Sequence, residues 1–90
     1  MVKQAFQVVS ENGIHARPAT RLVNLAMTFE SDINLCREQT CINLKSIMGL
    51  MSLGVYQGEE VIIHCEGDDE AKALEALTDF MIQEGLARLG

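Results

Sequence analysis

The apolar residues of this chain change period along its length, and that change limits the folds open to it. Residues 2 to 9 alternate, with Phe6 and Val8 on one face and Ala5 and Gln7 on the other, which predicts a strand. Ala19, Leu22, Val23, Ala26 and Met27 then recur every three to four residues, one face of a helix from about Ala16 to Met27. Alternation returns where Ile33 and Leu35 sit between Asp32, Asn34 and Cys36, and a short strand, Cys41-Ile42-Asn43-Leu44, follows. Ser46 to Leu53 reads as a short amphipathic helix with Ser46 as N-cap. Over residues 60 to 66, Val61, Ile63 and Cys65 oppose Ile62, His64 and Glu66, a fourth strand. Gly67-Asp68-Asp69 caps a last helix from about Glu70 to Glu84, apolar at Leu74, Leu77 and Met81 and ended by Gly85.

The order is therefore β-α-β-β-α-β-α. Such interspersed elements make an α+β domain in which helices cover one sheet face. Two crossovers of this length point to a split βαβ, ferredoxin-like arrangement. Ninety residues without repeats or a linker make one domain, 1–90. Phe6, Phe29, Tyr56 and Phe80 are the only aromatics, so the core must be aliphatic.

A net charge of −6 repels nucleic acid and anionic lipid, which excludes both as direct partners. No apolar run is long enough to span a bilayer, and Met1-Val2-Lys3-Gln4-Ala5 enters strand alternation rather than a signal-peptide pattern. Three cysteines imply no closed disulfide framework and fit the reducing cytoplasm.

The stretch Gly13-Ile14-His15-Ala16-Arg17-Pro18-Ala19-Thr20 carries the chemistry. Pro18 falls in the first helical turn, where a missing N–H costs nothing. The Arg17-Pro18 bond blurs the helix start, because proline disfavours α conformation before it. His15 lies just ahead, beside N–H groups with no intrahelical partner and the positive end of the helix dipole. An imidazole there could receive a phosphoryl group and share its charge with Arg17; it could equally be a plain exposed loop histidine. Helix terminus and arginine both disfavour imidazolium, which keeps a lone pair free for attack. Afterwards they stabilise the roughly −1.5 to −2 charge of the phosphorylated product. The chain has no GxxxxGK[ST] loop and no Ser/His/Asp spacing to argue another chemistry.

That stretch is followed about thirty residues later by Asn43-Leu44-Lys45-Ser46-Ile47-Met48-Gly49-Leu50-Met51-Ser52-Leu53-Gly54. The two together resemble HPr, the histidine-containing phosphocarrier family of the bacterial phosphoenolpyruvate:sugar phosphotransferase system, Gram-positive type. The likeness runs from Phe6 to Gly85. It implies an open-faced β-sandwich: a four-stranded antiparallel sheet with three helices on one face. It implies that His15 accepts a phosphoryl group from phosphorylated enzyme I, through Nδ1 in this family, and passes it to a sugar-specific enzyme IIA. Arg17 stabilises the group. The protein is then a carrier rather than an enzyme, with no cofactor and no metal; a domain this small with one exposed patch is expected to be a monomer.

Capping explains the Ser46 hydroxyl by itself. The resemblance adds a regulatory reading, in which an ATP-dependent HPr kinase/phosphorylase phosphorylates Ser46. Phospho-Ser46 would slow transfer to His15 and favour a catabolite-control transcription factor. Ile47, Met48, Leu50 and Met51 are apolar on this short helix; Leu50 and Leu53 suit the core. The resemblance implies that Ile47, Met48 and Met51, with Thr20, Asn24 and Met27 on the first helix, dock the partners, a role that suits adaptable methionines.

Arg37-Glu38-Gln39-Thr40 joins the second and third strands with neither Gly nor Asn at its centre, which is poor turn chemistry and points to a strained or longer hairpin. HPr-like chains usually carry a glycine near here. A two-residue turn would set Cys36 against Cys41 on the open face, with Cα atoms roughly 4.5 Å apart, just inside disulfide range. Cytosolic chemistry argues for two reduced thiols. A disulfide, or a metal site with His64, is the competing view, and these cysteines lie outside the family pattern. Cys65 alternates into the core. Two other functions compete with the carrier: a purely regulatory relative of the Crh type, which lacks the acceptor histidine that this chain keeps, and a metal or redox module built on Cys36, Cys41 and His64.

Overall fold

The computed structural model describes all residues from Met1 to Gly90. The elements are β1 (Val2–Val8), α1 (Ala16–Ala26), β2 (Asp32–Arg37), β3 (Thr40–Asn43), α2 (Ile47–Leu53), β4 (Glu60–Glu66), α3 (Glu70–Gln83) and β5 (Ala87–Leu89). They form one antiparallel sheet in the order β3-β2-β4-β1-β5. The β1 to β2 connection through α1 skips β4, and the β3 to β4 connection through α2 skips β2, so both crossovers are split.

The sheet has five strands where the sequence pattern predicts four. The addition is β5, which pairs Phe6 with Leu89, Gln7 with Arg88 and Val8 with Ala87 along the free edge of β1. Val9 N–H to Leu86 C=O and Gly90 N–H to Ala5 C=O extend that pairing. Backbone groups left without partners along an edge are costly or adhesive, and three residues suffice to satisfy them here.

The predicted strand faces hold. Phe6, Val8, Ile33, Leu35, Val61, Ile63 and Cys65 point inward and are buried. They meet Ala19, Leu22, Val23 and Ala26 of α1, Leu50 of α2, and Ala73, Leu77 and Met81 of α3. Leu74 packs at the margin of this core. Phe6 is the only aromatic in it, so the interior is aliphatic. Burying each of its larger side chains contributes about 1.5–3 kcal/mol relative to exposure.

Three local features stand out. First, of the two outcomes expected for the Glu38-Gln39 hairpin, strained or longer, it takes the strained one: the turn keeps two residues by putting Glu38 at φ 55°, a left-handed conformation for which glycine is the usual choice. Second, Cys36 and Cys41 stand directly opposite one another, their Cα atoms 4.0 Å apart, and their sulfurs are bonded. The expectation of two free thiols is therefore wrong. It weighed the redox compartment, whereas the hairpin register brings the two side chains together. Third, Asp69 occupies the N-cap position of α3, yet its side chain makes no cap hydrogen bond. Its carboxylate accepts from the Ser31 hydroxyl and from the backbone N–H of Glu30 and Ser31, holding the start of β2 against α3. Those bonds, the Ser31 hydroxyl first, hold the Asp69 carboxyl below its ordinary pKa. Glu70, the first residue of α3, instead folds back on the turn before the helix and accepts Gly67 N–H at 3.1 Å.

Candidate functional site

Two loops fix where His15 stands. Gly13 adopts φ +62°, and a Cβ built on it would lie 2.1 Å from the carbonyl oxygen of Val55. Only glycine allows this approach. The contact lets Ile14 N–H donate to Val55 C=O at 3.1 Å, while the side chains of Ile14 and Val55 are both buried. The segment before α1 is thereby clamped to the segment after α2.

His15 follows as the N-cap of α1, in extended conformation at φ −87° and ψ −178°. Its carbonyl accepts the N–H of Ala19 at 2.9 Å, so its backbone already belongs to the helix. Its imidazole is exposed and makes no cap hydrogen bond. Helical conformation starts at Ala16 despite the Arg17-Pro18 bond, and Pro18 sits in the first turn as expected. The N–H groups of Ala16 and Arg17 then have no intrahelical acceptor. No acidic residue in that turn offsets the helix dipole. Arg17 is exposed and enters none of the chain's three ion pairs. An anion at the imidazole would meet unpaired N–H groups and an uncommitted guanidinium together.

Ser46 stands elsewhere. It is the N-cap of α2, and its Oγ accepts Gly49 N–H at 3.0 Å, as capping requires. Lys45 beside it reaches back with Nζ to the carbonyl of Phe29, just past the C-terminus of α1, at 2.7 Å. The other end of α2 runs through Gly54 to Val55, against Gly13 and Ile14. The helices α1 and α2 therefore run antiparallel, and His15 and Ser46 lie at opposite ends of the pair. The eleven residues of α1 span about 16 Å.

Four of the nine large apolar side chains that are exposed belong to this pair of helices: Met48 is 78% exposed, Met27 61%, Met51 43% and Ile47 37%. Thr20 and Asn24 are exposed on α1. Thr20 Oγ1 donates to Ala16 C=O at 2.9 Å. The expected docking residues are thus all exposed, Thr20 and Asn24 on α1, Met27 at its C-cap, and Ile47, Met48 and Met51 on α2.

Two groups that support the site carry no sequence signal. Arg37, at the end of β2, donates through Nη1 to the carbonyl of Gly54 and to Glu59 Oε1 at 3.3 Å. The same Glu59 oxygen accepts Tyr56 N–H at 2.7 Å. These bonds hold the loop on which Gly13 rests. The metal alternative loses its ligands, because the sulfurs of Cys36 and Cys41 are spent on each other.

A family model described as the PTS HPr component phosphorylation site matches residues 2–83. The chain belongs to the HPr family. A histidine-containing phosphocarrier protein from Mycoplasma shares 33% identity, with 97% of this chain and 99% of that one covered and a TM-score of 0.94. The phosphocarrier protein HPr of Bacillus anthracis shares 42% identity over 88% of this chain and 94% of its own, with a TM-score of 0.82. Bacillus subtilis Crh, a catabolite-repression protein seen as a domain-swapped dimer, shares 43% identity over 98% of this chain and all of its own, with a TM-score of 0.72. HPr proteins carry phosphoryl groups without turning over a substrate of their own, so this chain is a phosphotransferase-system phosphocarrier rather than an enzyme. No helix is long and apolar enough to cross a membrane.

Proposed function

We propose that His15 is the phosphoryl acceptor, taking the group from phosphorylated enzyme I and passing it to enzyme IIA domains for sugar uptake. The observation that carries this is the exposed imidazole at the N-cap of α1, bonded to nothing in the chain and set beside unpaired N–H groups. A neutral imidazole nitrogen attacks phosphorus in line. The N–P bond forms as the bond to the donor breaks, and the helix N-terminus and Arg17 receive the charge of the transferred group. The return step reverses these movements with enzyme IIA as acceptor. Neither step draws a cofactor from this chain.

Ser46 is the regulatory site of the same reading, phosphorylated by an ATP-dependent HPr kinase/phosphorylase, after which a catabolite-control transcription factor is the favoured partner. Its partly exposed hydroxyl at a helix N-cap supports this. Thr20, Asn24, Met27, Ile47, Met48 and Met51 form the docking strip, and the carrier acts as a cytoplasmic monomer. His15 separates this reading from a purely regulatory one.

The test is transfer from phosphoenolpyruvate through enzyme I, read by intact mass with His15→Ala as control. One acid-labile phosphoryl group, absent from the control, is expected; no addition with an active enzyme I from a related bacterium refutes the reading. Met48→Asp is expected to weaken enzyme I binding without lowering the melting temperature, and an unchanged affinity removes Met48 from the interface.

A further inference from the structure

Cys36 and Cys41 close a six-residue loop at the edge of the sheet, and Arg37 lies inside it. The hairpin ends in β3, an edge strand with one neighbour. Cys41 is exposed, whereas Cys36 is only 7% exposed. Arg37 is the hairpin's link to the rest of the site: it holds the Gly54 carbonyl and Glu59, Glu59 holds Tyr56 N–H, and Val55 between them holds Ile14 N–H. His15 is the next residue.

From this chain of contacts we infer that the Cys36–Cys41 pair is a reversible thiol–disulfide site whose oxidation state sets how firmly the loop behind His15 is held. The reacting partner is a low-molecular-weight thiol and its disulfide. A thiolate attacks Cys41 Sγ, the exposed side; the S–S bond breaks and Cys36 leaves as a thiolate that takes up a proton. A second thiol attacks the outer sulfur of the mixed disulfide and releases Cys41. Two small thiols become one small disulfide, and two electrons and two protons enter the protein. Oxidation runs the same steps backwards. In the oxidised form the backbone flanking Arg37 is fixed by the covalent loop. In the reduced form the Glu38-Gln39 turn, with Glu38 at φ 55°, loses its covalent tie and is left with backbone pairing and the Arg37 bonds alone. Cys65, fully buried on the opposite face, takes no part.

The first arm of the test does not depend on His15 being the acceptor; the second rests on that reading. Amide hydrogen exchange at Ile14 and Tyr56 is measured in protein equilibrated with oxidised or reduced glutathione, with thiols counted by alkylation in denaturant and intact mass. Reduction is expected to expose two further thiols and to speed exchange at both amides. Arg37→Gln is expected to show the fast exchange in either state, and Cys36→Ser/Cys41→Ser to match the reduced protein and ignore glutathione. In the second arm the reduced form accepts phosphoryl from enzyme I about three- to tenfold more slowly, the scale of one ordinary hydrogen bond weakened in the loop. Three free thiols in oxidised glutathione, or amides indifferent to reduction, overturn the inference. Equal transfer rates in the two states overturn its link to His15. Failure of labelling in both states removes His15 as acceptor and leaves the amide result to decide the loop coupling.

Discussion

Replacing Gly13 by alanine tests the clamp behind His15 more sharply than any change at the histidine itself. Three contributions set its size. Holding an L-residue at φ +62° costs about 1–2 kcal/mol. Placing a methyl group 2.1 Å from the Val55 carbonyl forces backbone apart, and overpacking of this kind costs about 1–3 kcal/mol. Against these, alanine reduces the freedom of the unfolded chain, an offset of about 0.4–1 kcal/mol. The net loss is then about 1.5–4 kcal/mol. Unfolding entropy of about 2.1 cal/mol/K per residue gives roughly 0.19 kcal/mol/K for ninety residues, so the midpoint should fall by about 8–20 °C. The assay is thermal unfolding by circular dichroism, with Gly85→Ala beside it. Gly85 has a similar φ of +68°, but a Cβ there meets nothing within 4 Å. It should therefore lose only the conformational part, about 1 kcal/mol. If the two variants melt together, the close approach to Val55 contributes nothing, and the clamp does not place His15.

Ser46→Ala removes the bond to Gly49 N–H and should cost about 1 kcal/mol in urea unfolding, with no change in the m-value. Asp69 has its folded pKa below the ordinary 3.8, so its stabilisation is complete above that value and is lost as pH falls through the lower folded value. Asp69→Asn should flatten the acid limb of the stability curve, which a series of urea melts at descending pH would show. Cys65 runs the other way: burial first, then Glu70 and Asp69, push its thiol from 9.0 up to about 11. Its contribution is whole below 9.0 and lost as pH rises toward 11, so Cys65→Ala should lessen the alkaline loss of stability. In the native protein at neutral pH, Cys65 should resist iodoacetamide until the chain unfolds.

Periodicity was enough to place the long elements, because Phe6, Val8, Leu22, Val23, Leu77 and Met81 each occupy the face that their spacing assigns. It fails where an element exists only through a distant partner. Three residues, Ala87 to Leu89, carry too little pattern to read, and β5 forms because β1 has a free edge. The same limit applies to the site. His15, Arg17 and Ser46 are visible in the sequence, since a cap and a first turn are local chemistry. Arg37 is invisible, because its acceptors at Gly54 and Glu59 lie about twenty residues away and no spacing announces them. Asp69 shows the reverse error: its position is that of a helix cap, but Ser31 outcompetes the cap for its carboxylate. In the Cys36–Cys41 hairpin, geometry and compartment argued in opposite directions, and only the folded register shows the sulfurs joined.

Helix α1 is fastened at its start by Gly13 and Ile14 against Val55, along its side by Arg21 to Glu84 of the α3 C-cap and over the Phe80 ring, and just past its end by Lys45 on Phe29. A helix so held cannot bend to suit each visitor. On the proposed docking reading, donors and acceptors must each present a surface that fits this one unchanging template, and what adjusts on the carrier is confined to the tips of flexible side chains such as Met48. Little ordering entropy is then lost at each encounter, which permits brief, repeated exchanges. The same reading implies that drift in this sequence can retune recognition residue by residue on the proposed strip, while the scaffold beneath stays fixed.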